Sequence, residues 1–356
     1  MKFTLLTILS CCFVFACAKQ QAKKFVYAKK FDGLPKVSDF QLEEETLPEL
    51  KDGDVLAEAL FLSVDPYMRS FGEFLPAGMG ITMPGGQVAK IIESKNADYP
   101  KDAIIYGSLG WRTHTVFNRN VTQDPYSIPT YILPSFADLP RSLGLGTLGM
   151  PGNTAQFGLL EIIQPKAGEV LVVSGAAGAV GNLVGQIAKA KGCKVIGITG
   201  SDEKCKWLTN DLGFDHAINY KNESVNDVLK KYAPQGVDCY FDNVGGEISS
   251  TVINQMRDFG RIAVCGSISS YNLPFGQWPQ ATIIQPTVVF KQLKMEGFLV
   301  QRYWSKWFDG IAQSKRWIDE GRLKYHETIT EGFENMPQAF IDMLQGKNFG
   351  KAVVKV

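Results

Sequence analysis

Residues 174–181 form a run of small side chains with glycines at every third position, 175, 178 and 181. Glycine lets a backbone approach a diphosphate closely, and a following helix N-terminus offers unpaired N–H groups and a positive dipole end. A buried apolar strand is predicted at 169–173, and helical spacing of apolar residues is found over 180–188. This strand–turn–helix setting favours a dinucleotide site over a tight turn that serves only packing.

The residues at the tip of the next predicted strand, 193–199, indicate which of the two nicotinamide cofactors is bound. An acid at its tip would bind the ribose hydroxyls of NAD, whereas a cation would accommodate the 2′-phosphate of NADP. The tip carries no acid, and Lys204 follows in the next helix, so the sequence favours NADPH. The alternative for Lys204 is a solvated surface lysine, and Asp202 and Glu203 are interpreted as helix-capping acids.

Strands and helices alternate from residue 169 to about 300, which predicts a doubly wound parallel α/β sheet. Further strands are predicted at 237–241, 261–265 and 294–300, and a helix at 203–212. Ligands of such sheets lie at the carboxyl ends of the strands, so Asn243 and residues 265–271 are expected around the cofactor. A loop rich in glycine and serine for structural reasons alone would look the same.

The chain is predicted to form two domains, because 356 residues is long for a single core. The β-rich residues 24–145 form the first, completed by about 327–356, whose last strand is expected to return to it. Residues 146–326 form the nucleotide-binding domain. Residues 151–154 are interpreted as a break and cap before a helix at 156–163.

The first 18 residues have a short positive start, an apolar middle and a small-x-small ending, the pattern of a secretory signal peptide. The alternative is an uncleaved extension, and the segment is too short for a comfortable membrane span. The net charge of +1 gives no reason to expect nucleic acid as a partner.

Zinc chemistry is not expected, because the ligands of a zinc alcohol dehydrogenase are absent from the first domain. No cysteine lies between Cys17 and Cys193, and the three histidines are His114, His216 and His326, far apart in sequence. No Gly-x-Ser-x-Gly elbow follows a predicted strand, which disfavours a serine hydrolase. The sequence therefore predicts no metal.

From about residue 24 to the end, the chain resembles the zinc-independent medium-chain dehydrogenases/reductases, in particular the family of prostaglandin reductase and leukotriene 12-hydroxydehydrogenase. The matching stretches are the glycine turn and residues 64–69 (VDPYMR), 149–152 (GMPG), 240–246 (YFDNVGG), 331–337 (EGFENMP) and 346–351 (GKNFGK). Phe290 stands where relatives carry a tyrosine sometimes proposed as catalytic.

The resemblance implies a Rossmann domain, a GroES-like β-barrel, a cytoplasmic homodimer, and NADPH-dependent reduction of conjugated double bonds in small lipid-derived enals and enones. This includes 2-alkenals and 15-oxoprostaglandins. It also implies which residues bind the cofactor. They are Gly178, Ala179, Val180 and Gly181 at the diphosphate; Lys204 and Tyr220 at the 2′-phosphate; and Asn243, Cys265, Gly266, Ser267, Ile268, Ser269, Ser270, Tyr271, Phe298, Leu299, Val300 and Asn348 along the rest.

Reduction of an enone places negative charge on the carbonyl oxygen, so a hydrogen-bond donor is needed there. Without a metal, the candidates are the hydroxyls of Tyr67 and Tyr271 and the cofactor ribose. Either tyrosine could instead serve packing alone. The alternatives are a quinone reductase of the same superfamily, an alcohol dehydrogenase, and an NADPH-binding protein without catalysis.

Overall fold

A computed structural model of the chain describes residues 20–74, 79–118, 127–273 and 277–356. The predicted signal peptide, residues 1–18, lies outside these described residues. Within them, no helix combines the length and the apolar character needed to cross a membrane.

The described segments form fifteen strands and nine α-helices, together with short 3₁₀ and π segments. The strands are β1 Gln21–Tyr27, β2 Phe40–Thr46, β3 Asp54–Val64, β4 Gln87–Ser94, β5 Ile104–Gly107, β6 His114–Asn118, β7 Tyr131–Ile132, β8 Val170–Ser174, β9 Lys194–Thr199, β10 His216–Asn219, β11 Val237–Asp242, β12 Met256–Val264, β13 Lys294–Gly297, β14 Glu327–Glu331 and β15 Lys351–Lys355. The helices are α1 Tyr67–Phe74, α2 Met150–Phe157, α3 Gly181–Ala190, α4 Asp202–Lys206, α5 Val225–Tyr232, α6 Gly246–Asn254, α7 Gln285–Phe290, α8 Trp307–Asp319 and α9 Met336–Leu344.

One sheet has six strands in the order β10-β9-β8-β11-β12-β13, and all of its pairings are parallel. Alternate residues of β8 enter opposite cores. Leu171 and Val173 pack with α3 on one face, whereas Val172 packs with α5 and α6 on the other. Because helices cover both faces, a central strand such as β8 can be apolar on both of its faces. The predicted doubly wound sheet is confirmed.

The other large sheet has seven strands, six of them in the order β14-β15-β3-β4-β5-β7, with β6 pairing to β3. Its pairings are antiparallel except that of β14 with β15. The strand β15 lies inside this sheet, between β14 and β3, so the end of the chain does return to the β-rich part. Phe340 of α9 is fully buried there, against the rings of Phe40 and Trp111.

Two predicted boundaries were wrong. Residues 151–154 were expected to form a break and a cap before a helix that starts at residue 156. Instead, α2 starts at Met150 and contains them. Proline is tolerated in the first turn of a helix, and the Thr154 hydroxyl donates to the Met150 carbonyl at 2.7 Å. The last parallel strand, predicted to reach residue 300, ends at Gly297, and a 3₁₀ segment begins at Val300.

Candidate active site

The glycine turn joins β8 to α3, and its three glycines have different roles. Gly175 has φ +61°, which favours glycine. A Cβ on Gly181 would lie 2.4 Å from the Gly175 carbonyl oxygen, so position 181 is needed for packing within the turn. A Cβ on Gly178 would meet only that same oxygen, at 3.3 Å. Position 178, just before the N-terminus of α3, is therefore less crowded than position 181.

The C-terminal tail contacts this turn directly. The Gly350 N–H donates to the Ala177 carbonyl at 2.9 Å, and Gly350 pairs with Gly178 in an isolated parallel β-bridge. The Asn348 amide donates to the Gly350 carbonyl at 2.8 Å. Asn348, more than 160 residues away in sequence, thus lies beside the predicted diphosphate turn. Gly350 was not singled out from the sequence, although it belongs to the quoted stretch 346–351.

Asp242, at the carboxyl end of β11, organises the neighbouring strand ends. Its buried carboxylate accepts hydrogen bonds from the hydroxyls of Ser174 (3.1 Å), Tyr240 (2.8 Å) and Ser249 (2.6 Å). It also accepts from the backbone N–H groups of Val244 and Gly245, both at 3.0 Å. Sequence reasoning quoted Asp242 within a motif but gave it no role.

Asn243 is tied to the glycine turn by its side chain. Its amide donates to the Ser174 carbonyl at 2.7 Å, and its backbone N–H donates to the Ser174 hydroxyl at 3.0 Å. Gly175 lies against it as well, since a Cβ built there would be 3.4 Å from the Asn243 Cβ. The ends of β8 and β11 therefore form one continuous edge, as expected.

The loop of residues 265–271 packs against residues 242–245. The N–H groups of Cys265 and Gly266 donate to the Asp242 carbonyl at 2.8 and 3.2 Å, and the Ser269 hydroxyl donates to the Val244 carbonyl at 2.6 Å. The Ile268 N–H donates to the Asn243 carbonyl at 3.3 Å.

Ser267 and Ser270 hold this loop together, through a hydrogen bond of 2.7 Å from the Ser270 hydroxyl to the Ser267 carbonyl. Burial raises the pKa of the Cys265 thiol to about 12, which keeps it protonated. The structure thus places the whole predicted loop at the same sheet edge as the glycine turn.

Lys204 is more buried than a surface lysine would be. It is 8% exposed, its Nζ donates to the Gly346 carbonyl at 2.5 Å, and it lies 5.5 Å from the Phe349 ring centre. Burial, followed by the nearby charge of Lys221, lowers its pKa. The interpretation of Lys204 as a solvated lysine is therefore wrong.

Two other residues near the tip of β9 are Tyr220 and Asp202. Tyr220 is 45% exposed, and its ring lies 3.2 Å from the position of a Cβ on Gly200. The Asp202 carboxylate accepts a hydrogen bond of 2.7 Å from the Asn219 amide, so it is already engaged within the protein. Lys221, which the sequence reading missed, is a second cation beside Lys204.

Residues 298–300 follow β13, and their side chains point in different directions. Phe298 and Val300 are buried in two separate cores. Leu299 is 58% exposed. Of these three predicted residues, Leu299 is the one whose side chain is free to meet a ligand.

The two candidate tyrosines lie in different parts of the molecule. The Tyr271 hydroxyl accepts a hydrogen bond of 3.3 Å from the Ser267 N–H, and burial raises its pKa. Tyr67 begins α1 and is 44% exposed. Desolvation by the protein, followed by the charge of Asp65, raises the Tyr67 pKa well above its usual value of 10. Both phenols therefore stay protonated near neutral pH and can donate a hydrogen bond.

A separate groove lies away from these residues. It has a volume of about 540 Å³ between α2, α3 and α8, and charged residues such as Lys191, Asp309 and Arg316 line it. None of the predicted site residues contributes to it. Across the described ranges, no cluster of three or more His, Cys, Asp or Glu side chains could hold a metal ion.

Comparison with known proteins identifies the family. A family model for the N-terminal domain of oxidoreductases matches residues 23–124, and one for zinc-binding dehydrogenases matches residues 179–315. The chain is 50% identical over 343 residues to prostaglandin reductase 1 of Bos taurus, covering 94% of this chain and 99% of that protein. It is 38% identical over 351 residues to the NADPH-dependent curcumin reductase of Escherichia coli (strain K12), covering 95% and 98%.

A crystal structure of CurA from Vibrio vulnificus in complex with NADPH superimposes with a TM-score of 0.85 at 36% identity, covering 94% of this chain and 99% of that one. The predicted Rossmann and GroES-like architecture is confirmed by this likeness and by the two sheets described above. The chain belongs to the prostaglandin reductase family of the medium-chain dehydrogenases/reductases and is an oxidoreductase.

Proposed function

We propose that this protein uses NADPH to reduce the conjugated double bond of α,β-unsaturated aldehydes and ketones, with 2-alkenals and 15-oxoprostaglandins as substrates. The observation that carries the proposal is the 50% identity with prostaglandin reductase 1 over nearly the whole of both chains. Curcumin reductase, the second relative, is NADPH-dependent by its name. The geometry supports the same cofactor, since the glycine turn, the tail and the loop after β12 lie at one sheet edge.

The protein's own residues would bind the cofactor at three places. The N–H groups at the start of α3, next to the less crowded Gly178, would bind the diphosphate. Lys204 and Tyr220, with Lys221 beside them, would bind the 2′-phosphate. The rest of the cofactor would be lined by Asn243, residues 265–271, residues 298–300 and Asn348. Bound NADPH supplies the hydride that adds to the β-carbon of the substrate.

The protein's catalytic contribution is a hydrogen bond to the carbonyl oxygen of the substrate, where negative charge develops. Such a donor is worth about 3–4 kcal/mol in the transition state. The raised pKa of Tyr67 and of Tyr271 keeps each hydroxyl protonated at neutral pH. Tyr271 uses its oxygen to accept from Ser267, which leaves its proton available. We propose these two hydroxyls as the candidates for the catalytic donor.

An absorbance assay of NADPH oxidation tests the function, using 4-hydroxynonenal, a 15-keto-prostaglandin and a quinone. We expect oxidation with the first two compounds, with the product reduced at the carbon–carbon double bond by mass spectrometry. Oxidation with the quinone alone would instead indicate a quinone reductase. Tight NADPH binding without oxidation of any of the three would indicate a protein that has lost catalysis.

Removing both candidate hydroxyls, in Tyr67→Phe/Tyr271→Phe, should lower kcat by about 10²–10³-fold, the effect of losing one donor at the oxyanion. The Kd of NADPH should change little, because neither hydroxyl is assigned to the cofactor phosphates. The two single variants show which tyrosine is responsible. Tyr232→Phe is the control, since that ring stacks on His216 at the amino end of β10. Full turnover in the double variant would contradict the assignment.

Replacing Lys204 with Met should raise the Kd of NADPH about tenfold or more, the worth of a hydrogen bond to a charged group. The Kd of NADH should stay nearly constant, because NADH has no 2′-phosphate. Both constants can be measured by quenching of intrinsic fluorescence. Lys206→Met is the matched control, since Lys206 is exposed on the same helix. Equal weakening of NADPH and NADH would show that Lys204 acts through the fold alone.

We also infer that two copies of the chain associate through the edge of the six-stranded sheet. The strand β13 forms that edge, and large apolar side chains are exposed around it. They are Phe259 (64%), Ile283 (72%), Val289 (69%), Phe290 (83%) and Met295 (40%). A second copy of the same edge would cover this surface and pair the free backbone groups of β13.

The oligomeric state tests this inference. Light scattering should give the mass of a dimer for the parent protein, and Phe290→Lys should shift it towards the monomer by placing a charge in the apolar surface. Ile132→Lys, on the other sheet at 45% exposure, should leave the mass unchanged. A monomeric parent protein would overturn the inference.

A further inference from the structure

A buried ion pair lies between the end of the chain and the segment that carries Tyr67. The Lys351 Nζ donates to Asp65 Oδ1 at 2.5 Å and to the Val64 carbonyl at 2.8 Å. The two side chains are 3% and 6% exposed. The other oxygen of Asp65 accepts the hydroxyl of Ser63. Neither charge was assigned a role from the sequence.

The pair connects the cofactor turn with the candidate donor by a short path. Lys351 directly follows Gly350, whose N–H donates to the Ala177 carbonyl in the glycine turn at 2.9 Å. Asp65 precedes Tyr67 by two residues, and its negative charge contributes to the raised pKa of the Tyr67 hydroxyl. Between the turn and Tyr67, the path runs through one backbone hydrogen bond, one ion pair and two short pieces of chain.

Stability alone is a poor explanation for the pair. Two charges lose their hydration on burial, and apolar residues of similar size are often equally stable in such places. The strand β15 is already held to β3 by backbone pairing, with Ala352 opposite Val64. A lysine at position 351 is therefore not needed to keep the strand in the sheet.

The second acid near Lys351 is Glu327, at the start of β14. Its Oε2 accepts the Ser142 hydroxyl at 2.7 Å, and burial raises its pKa. Of these two acids, the Lys351 ammonium is hydrogen-bonded to Asp65 and not to Glu327. The ammonium is thus directed at the residue that leads into α1.

We propose that Asp65 and Lys351 are positioning residues, which fix the Tyr67 hydroxyl relative to the cofactor held at the glycine turn. The proposal rests on the function proposed above, in which Tyr67 donates to the substrate carbonyl. The pair fixes the start of α1 against the residue next to Gly350. The distance and orientation between Tyr67 and the glycine turn therefore stay constant. A small displacement of a reacting group lowers the rate by up to about 10²-fold.

The test is the Asp65→Asn/Lys351→Met variant, which removes both charges at similar side-chain size. It is made in the parent protein and in Tyr67→Phe. The thermal unfolding midpoint, the Kd of NADPH and kcat with an alkenal are measured for each. Lys355→Met is the matched control, because Lys355 lies on the same strand as Lys351 and forms an exposed ion pair with Glu331 of β14.

We expect the charge-free variant to stay folded, with an unfolding midpoint near that of the parent and an unchanged Kd of NADPH. In the parent background kcat should fall at least about tenfold. In the Tyr67→Phe background it should fall less than about twofold, because residues that act through one group are not additive. Lys355→Met should leave kcat unchanged.

Unchanged kcat, an equal loss in both backgrounds, or an unfolded charge-free variant would each overturn the positioning role. If Tyr67→Phe itself retains full turnover, the proposed role of Tyr67 fails and the inference fails with it. A low kcat in Tyr67→Phe combined with equal losses in both backgrounds would overturn the inference alone.

Discussion

At the carboxyl end of β11, one buried carboxylate, that of Asp242, accepts three hydroxyl hydrogen bonds and two from backbone N–H groups. An unpaired buried charge would be costly, so every one of these donors is held in place. The donors belong to β8, to β11 and the turn after it, and to α6, and the loop after β12 bonds to the Asp242 carbonyl. The sheet edge proposed to bind the cofactor is therefore held by these hydrogen bonds before any ligand arrives, and such preorganisation lowers the entropy lost on binding.

The sequence predicted this edge because its signals are local. Glycine spacing, a β-branched strand and a helical face are all found within the stretch 169–188, and parallel strands must end at the same side of a sheet. Partners distant in sequence were not predictable. Asp65 and Lys351 are 286 residues apart, and no pattern in either segment indicates the other. The contact between Lys204 and Gly346 was likewise not predictable, although the Gly346 carbonyl accepts the hydrogen bond of the Lys204 ammonium.

Local signals also failed where tertiary packing overrides them. Proline and glycine in residues 151–154 indicate a break, but the first turn of α2 tolerates both, and the Asn153 amide donates to the Trp307 carbonyl at 3.0 Å. Residues 298–300 are apolar and were predicted to belong to the same strand as β13, yet Phe298 and Val300 enter separate cores. An apolar run indicates burial here, but not the kind of element that is buried.

The position of β15 inside the seven-stranded sheet has a consequence for biosynthesis. The strand β3 emerges from the ribosome early, but its neighbour β15 consists of Lys351–Lys355, near the end of the chain. Until then residues 61–64 of β3 lack a neighbouring strand on that side, and unpaired edges invite association between nascent chains. The parallel sheet is encoded by residues 170–297, so all its strands precede β15 in the chain. The nascent chain can therefore complete its nucleotide-binding sheet before β15 joins the seven-stranded sheet.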